Sequence, residues 1–137
     1  MEEIRVNGRV FAVDREKTER YYRSNTLCDC EDCRLFQRRI RERYPVLTEY
    51  LAQFGIDVSR PDETAPVSLG DGVLYIMSGY TVCGHIVNAE TDQVSDHEQL
   101  TIEFEEGFQF PNEQEGEYFS VTVNELKLPF DEEYKAD

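Results

Sequence analysis

The spacing of apolar residues changes character near residue 70. Before that point it is helical. Leu35, Phe36 and Ile40 share one face of a segment running from about residue 30 to 43, and Val46, Leu47, Tyr50, Leu51 and Phe54 form a stripe over about 46–54. After that point it is strand-like. Val73 to Val87 is a long apolar run rich in β-branched and aromatic residues. Leu100, Ile102 and Phe104 alternate with Thr101, Glu103 and Glu105, the pattern of a strand with one buried face, and Phe108 and Phe110 continue it. Phe119, Val121 and Val123 alternate with Ser120, Thr122 and Asn124, and the phase then slips to Leu126 and Leu128, which predicts a bulge near Asn124.

Local signals bound these elements. Asn7-Gly8 sits between short apolar runs and predicts a hairpin over residues 4–13, because both positions tolerate positive φ. Asp14 is a good N-cap for a charged helix to about Arg23. Asp29, Glu31 and Asp32 suit the positive end of the next helix. Tyr44-Pro45 ends that helix and starts another, and Gly55 follows its last turn. Residues 56–72, with Pro61, Pro66 and Gly70-Asp71-Gly72, read as a connection. Gly79 predicts a break or bulge, and Pro111 to Gly116 a polar turn. The prediction is an α+β fold in a single domain, 1–137. A helical layer over about 14–55 packs on one face of an antiparallel sheet over about 73–128.

The 137 residues include eight Tyr and eight Phe, too many large apolar groups for a disordered chain. A domain of this size buries about 70% of its unfolded surface, so a metal site is an addition to the fold rather than its only support. No apolar run reaches the length of a membrane helix. Met1-Glu2-Glu3 lacks the basic and apolar regions of an export signal. The expected location is therefore the cytoplasm, where four cysteines stay reduced.

Charge sharpens this reading. Residues 1–60 hold 12 Lys/Arg and 11 Asp/Glu; residues 61–137 hold 2 and 18, giving the net −15. Such a surface repels phosphate backbones and anionic lipids, which argues against nucleic acid and membrane and for a basic protein partner. Solubility alone is the ordinary explanation of the same charge.

The chemistry is concentrated in Asn25-Thr26-Leu27-Cys28-Asp29-Cys30-Glu31-Asp32-Cys33-Arg34. Cys30 and Cys33 have the spacing that lets two sulfurs reach one zinc ion, and Cys28 adds a third if the chain is extended before the helix. Cys83 or His85 is the expected fourth ligand, since alternate residues of a strand share a face. Two other readings stay open. The cysteines can be small core residues at a helix start, or Cys30 and Cys33 a redox pair. The run Asn25-Thr-x-Cys-x-Cys-x-x-Cys-Arg34, with Tyr44-Pro45, Gly55-Ile56-Asp57 and Pro61, resembles a group of small uncharacterised bacterial proteins. That resemblance implies a bacterial cytoplasmic protein and no particular activity.

Other features read as structural. Asp96-His97-Glu98 is a solvated loop rather than an acid–base cluster, and Gly70-x-Gly72 is a turn. The arginines of 34–43 cover apolar surface and pair with the acidic sheet, and Tyr75, Tyr80 and Tyr118 are core. The functional expectation is a non-enzymatic acidic binding or regulatory domain with a structural zinc site. A thiol-based redox protein or metal-dependent enzyme using the cysteine cluster is the alternative.

Overall fold

The computed structural model describes residues 1–107 and 112–135. Strands β1 (Glu2–Val6) and β2 (Arg9–Val13) form the predicted hairpin. Asn7 and Gly8 turn it at φ +49° and +80°. Helix α1 (Arg15–Ser24) starts where the Asp14 side chain accepts from the Lys17 amide at 3.1 Å. Helix α2 (Glu31–Arg43) buries Leu35, Phe36 and Ile40, and α3 (Pro45–Ala52) buries Leu47, Tyr50 and Leu51. Strands β3 (Glu63–Ser68), β4 (Gly72–Asn88), β5 (Thr91–Ser95), β6 (Gln99–Glu106) and β7 (Tyr118–Pro129) follow. The expected continuation at Phe108 and Phe110, and Pro111 at the head of the polar turn, lie outside the described residues.

The seven strands form one antiparallel sheet, ordered β1-β2-β4-β7-β6-β5, with β3 paired to β4 beside β2. The helices pack against β4, β7 and β5 and share one continuous core with the sheet. The α+β class and antiparallel sheet agree with the apolar spacing. The sheet's extent does not, because β1, β2 and β3 belong to it although they precede residue 73. Residues 63–68 are a strand although they contain Pro66. Pro66 sits beside a register shift in an edge strand, where its missing N–H costs no ladder bond.

The phase slip predicted near Asn124 is shared by two strands. Val73 and Tyr75 face inward opposite Leu128 and Leu126, whereas Ser78, Tyr80 and Val82 face inward opposite Val123, Val121 and Phe119. Pairing passes from Tyr75–Leu126 to Met77–Asn124 without a change of register, and Glu125 absorbs the irregularity at φ +57°. No residue is inserted on one side, so both inner faces stay matched. Gly79 is no break, since it pairs with Glu63 and Thr122.

Strand β4 shares one edge between two short partners. Residues 73–79 pair with β3 and residues 84–88 with β2. Between them α1 supplies side-chain partners, with Thr18 Oγ1 accepting from the Cys83 amide at 3.0 Å. Gly84, at φ +143°, lets β2 approach; a Cβ there would lie 2.0 Å from the Ala12 carbonyl oxygen.

Long-range ties complete the helical layer. The arginines of α2 pair with the C-terminal segment and a loop, not with the sheet as expected. Arg38 and Arg39 both reach Asp131 at 2.9 Å, and Arg41 reaches Asp57 at 2.5 Å. Asp96-His97-Glu98 also does more than a solvated loop. Asp96 Oδ2 accepts from the Val46 and Leu47 amides at 2.9 and 3.0 Å, capping α3, whose own N-cap Tyr44 has no capping side chain. Glu98 accepts from the Tyr44 hydroxyl at 2.8 Å, and His97 packs on its ring. Tyr75 and Tyr80 are fully buried, while Tyr118 is half-buried in β7.

Candidate metal centre

The start of α2 gathers three sulfurs. Cys30 is the N-cap, with extended backbone at φ −68° and ψ 161°. Cys33 is the third helical residue, and an N-cap side chain naturally faces that position. The extended backbone at Cys30 lets Cys28, two residues earlier, share its side of the chain. The sulfurs of Cys28, Cys30 and Cys33 accordingly all lie within 4.8 Å of one another. Tetrahedral zinc with Zn–S bonds of about 2.3 Å separates its sulfurs by about 3.8 Å, so small side-chain rotations suffice to close on an ion.

Cys28 and Cys30 are exposed and Cys33 is half-buried. Its sulfur lies 3.7 Å from Thr64 Oγ1 at the start of β3. Cys28 is held from behind, with its carbonyl accepting from Gln37 Nε2 at 3.0 Å. The Cys30 backbone amide lowers the Cys28 thiol pKa, helped by the thiols of Cys30 and Cys33, against burial and the charge of Asp29. Burial raises the Cys33 thiol pKa, and its hydrogen bond with Cys28 adds to the rise. A cation would reverse that cost at Cys33, because a coordinating thiol is deprotonated outright.

The surrounding carboxylates are mostly engaged. Glu31 pairs with Arg34 at 3.3 Å, and Asp32 Oδ1 accepts from the Tyr134 hydroxyl at 2.7 Å. Beside Cys28 and Cys33 is a recess of about 30 Å³, lined also by Pro61, Asp62, Glu63 and Thr64. It has room for about one water molecule. Burial raises the Asp62 pKa, although Thr81 and Tyr21 donate to its carboxyl group.

Cys83 and His85 do not join this group. Among the described residues it comprises the three clustered cysteines alone. Cys33 neighbours Thr64, which pairs with Ser78. Cys83 lies five residues further along β4, about 16 Å at the rise of a strand. It is buried, with its sulfur 3.1 Å from Gln114 Oε1, and burial raises its thiol pKa. His85 is half-exposed, with Nδ1 2.7 Å from Glu117 Oε1. Gly84 lies between them at φ +143° and breaks the alternation that the shared-face argument needs. Pro61 to Thr64 of the recess were not legible as site residues, because 56–72 read as a connection and the approach of β3 to α2 is a tertiary event.

Among the described residues no helix is long and apolar enough to cross a membrane. Comparison with family models, curated proteins and solved structures finds no match.

Proposed function

We propose that this chain is a non-enzymatic binding module carrying a zinc ion on Cys28, Cys30 and Cys33. The observation that carries the reading is the mutual approach of the three sulfurs within 4.8 Å at an exposed helix start. Soft thiolates favour zinc over magnesium or calcium. Three protein ligands would leave one position for water or an outside donor, and the recess beside Cys28, Cys33 and Thr64 has room for about one water. The acidic half of the chain supports a basic protein partner, with Glu103 and Glu105 exposed side by side on the outer face of β6.

The test is elemental analysis of protein purified without added metal, together with thiol titration. About one zinc per chain, with three thiols protected until chelator is added, is the expected result. No metal, with the thiols of Cys28, Cys30 and Cys33 reacting freely, overturns it.

A second reading rests on the approach of the exposed Cys28 sulfur to that of the half-buried Cys33. A more acidic, exposed Cys28 beside a less acidic Cys33 suits thiol–disulfide exchange with a disulfide substrate. Reversible formation of one disulfide within residues 28–33 in metal-free protein, seen as a loss of two hydrogens by mass, favours this reading.

A further inference from the structure

Four of the chain's 14 basic residues line one cavity of about 520 Å³ between α1, the end of α3 and the loop after it. Arg15 and Arg23 come from α1, Arg41 from α2, and Arg60 from the loop. This concentration is notable in a chain of net charge −15. Two carboxylates, Glu19 and Asp57, also face the cavity. Asp57 is committed to Arg41 at 2.5 Å. The Arg15 and Arg23 side chains have no ion-pair or hydrogen-bond partner among the described residues.

Arg60 differs from the other three because it is built in. Its Nε donates to Asn25 Oδ1 at 3.0 Å and its Nη2 to the Asn25 carbonyl at 2.9 Å. Asn25 is itself buried and donates back to the Arg60 carbonyl at 3.0 Å. Both ties are to neutral groups, so the guanidinium is fixed in direction, and among the described residues it forms no ion pair. The cavity floor includes the buried Tyr22 and Ile56. Gly55 keeps the wall thin, since a Cβ there would lie 2.8 Å from the Arg15 carbonyl oxygen.

From this we infer that the cavity binds a compact, multiply charged phosphate ester of about nucleotide size. Guanidinium groups present paired N–H donors that match phosphate oxygens, and several converging on one space favour more than one negative charge. The volume is within the range of small-molecule sites. The acidic remainder of the surface limits the ligand's extent, because a long nucleic acid overhanging the cavity meets like charge. This site is independent of the cysteine centre.

The test is isothermal titration of the full chain with inorganic pyrophosphate and with ADP, in chelator at about 150 mM salt. Saturable binding of one ligand per chain with Kd below about 1 mM is expected, with citrate binding at least about tenfold more weakly. Arg15→Gln combined with Arg23→Gln should weaken binding by about tenfold or more. Both side chains are exposed, so an unchanged circular dichroism spectrum is expected alongside. Arg20→Gln, an exposed arginine outside the cavity, should leave binding unchanged. The inference is overturned by any of four results: no saturable heat up to about 10 mM of either ligand, an equal loss with Arg20→Gln, citrate binding as tightly as pyrophosphate, or a DNA duplex outcompeting ADP at the same salt.

Discussion

The Tyr22 hydroxyl closes both backbone hydrogen bonds of Thr81. It donates to the Thr81 carbonyl and accepts from the Thr81 amide, each at 2.7 Å. Thr81 lies in the stretch of β4 that neither β2 nor β3 reaches, so one side chain replaces a strand. Tyr44 plays half of this part for β7 beyond the end of β6, accepting from the Lys127 amide at 2.9 Å while its own proton goes to Glu98 at 2.8 Å.

Tyr22→Phe keeps the ring and removes this plug. It leaves two buried main-chain groups unpaired, which costs about 2–4 kcal/mol. Tyr80→Phe removes only a donation to the Val58 carbonyl and should cost about half as much. Urea midpoints at a constant slope check the order, and equal losses would show that water replaces the Tyr22 hydroxyl.

Gly84→Ala should be among the most damaging single-methyl changes. The added carbon meets Ala12 backbone rather than a flexible side chain, so β2 must move away from β4. A loss above about 3 kcal/mol is expected. Gly8→Ala also has positive φ but faces open space, and about 1 kcal/mol is expected there. Thermal melts of the two variants read the contrast.

Asp131 gives the fold an acid-sensitive tie. The Arg38 guanidinium, with Arg39 behind it, holds the Asp131 carboxyl well below the usual carboxylate range, against a smaller opposing effect of burial. A depressed folded pKa contributes stability that is complete above the unfolded value of about 3.9 and is lost as pH falls toward the folded one. Asp131→Asn should therefore destabilise by about 1 kcal/mol at neutral pH, discounted because both arginines are partly solvated. The gap to the parent protein should narrow as pH falls below about 4. Denaturant titrations across that range measure it, and a gap that widens on acidification would contradict the assignment.

Zinc at Cys28, Cys30 and Cys33 should stabilise the chain only locally. With Cys83 and His85 elsewhere, the ion closes a loop of six residues rather than about 50, which forgoes about 2 kcal/mol of loop-closure stabilisation. Chelation should lower the melting temperature by only a few degrees and loosen amide protection in the first turn of α2. Cys30→Ser should reproduce both effects. Global unfolding on chelation would mean that the ion holds more of the fold than these three residues.

The helices were legible because their signals are local: Asp14 caps α1, Pro45 opens α3, and Leu35, Phe36 and Ile40 repeat on one face. The long strands were legible from alternation. Strand β3 was hidden by Pro66, and β5 by a polar sequence in which Asp92 and Val94 alone turn inward. Asp92 is buried because Tyr50 and Asn7 donate to it, partners that no spacing rule reveals. The same limit explains the metal centre. The three-cysteine core is local and was visible, whereas its neighbours Pro61 to Thr64 arrive through the fold.

Strand β7 lies between β4 and β6 and is the last strand among the described residues. During synthesis, β4 therefore emerges with its longest partner still unmade, and residues 72–83 must wait until 118–129 have been translated. Pairing over so wide a separation is slow and leaves an apolar edge uncovered on the nascent chain. Production of this protein should thus be limited by what happens on and just after the ribosome. Slower translation or chaperone cover should raise the soluble yield more than any improvement of the finished core.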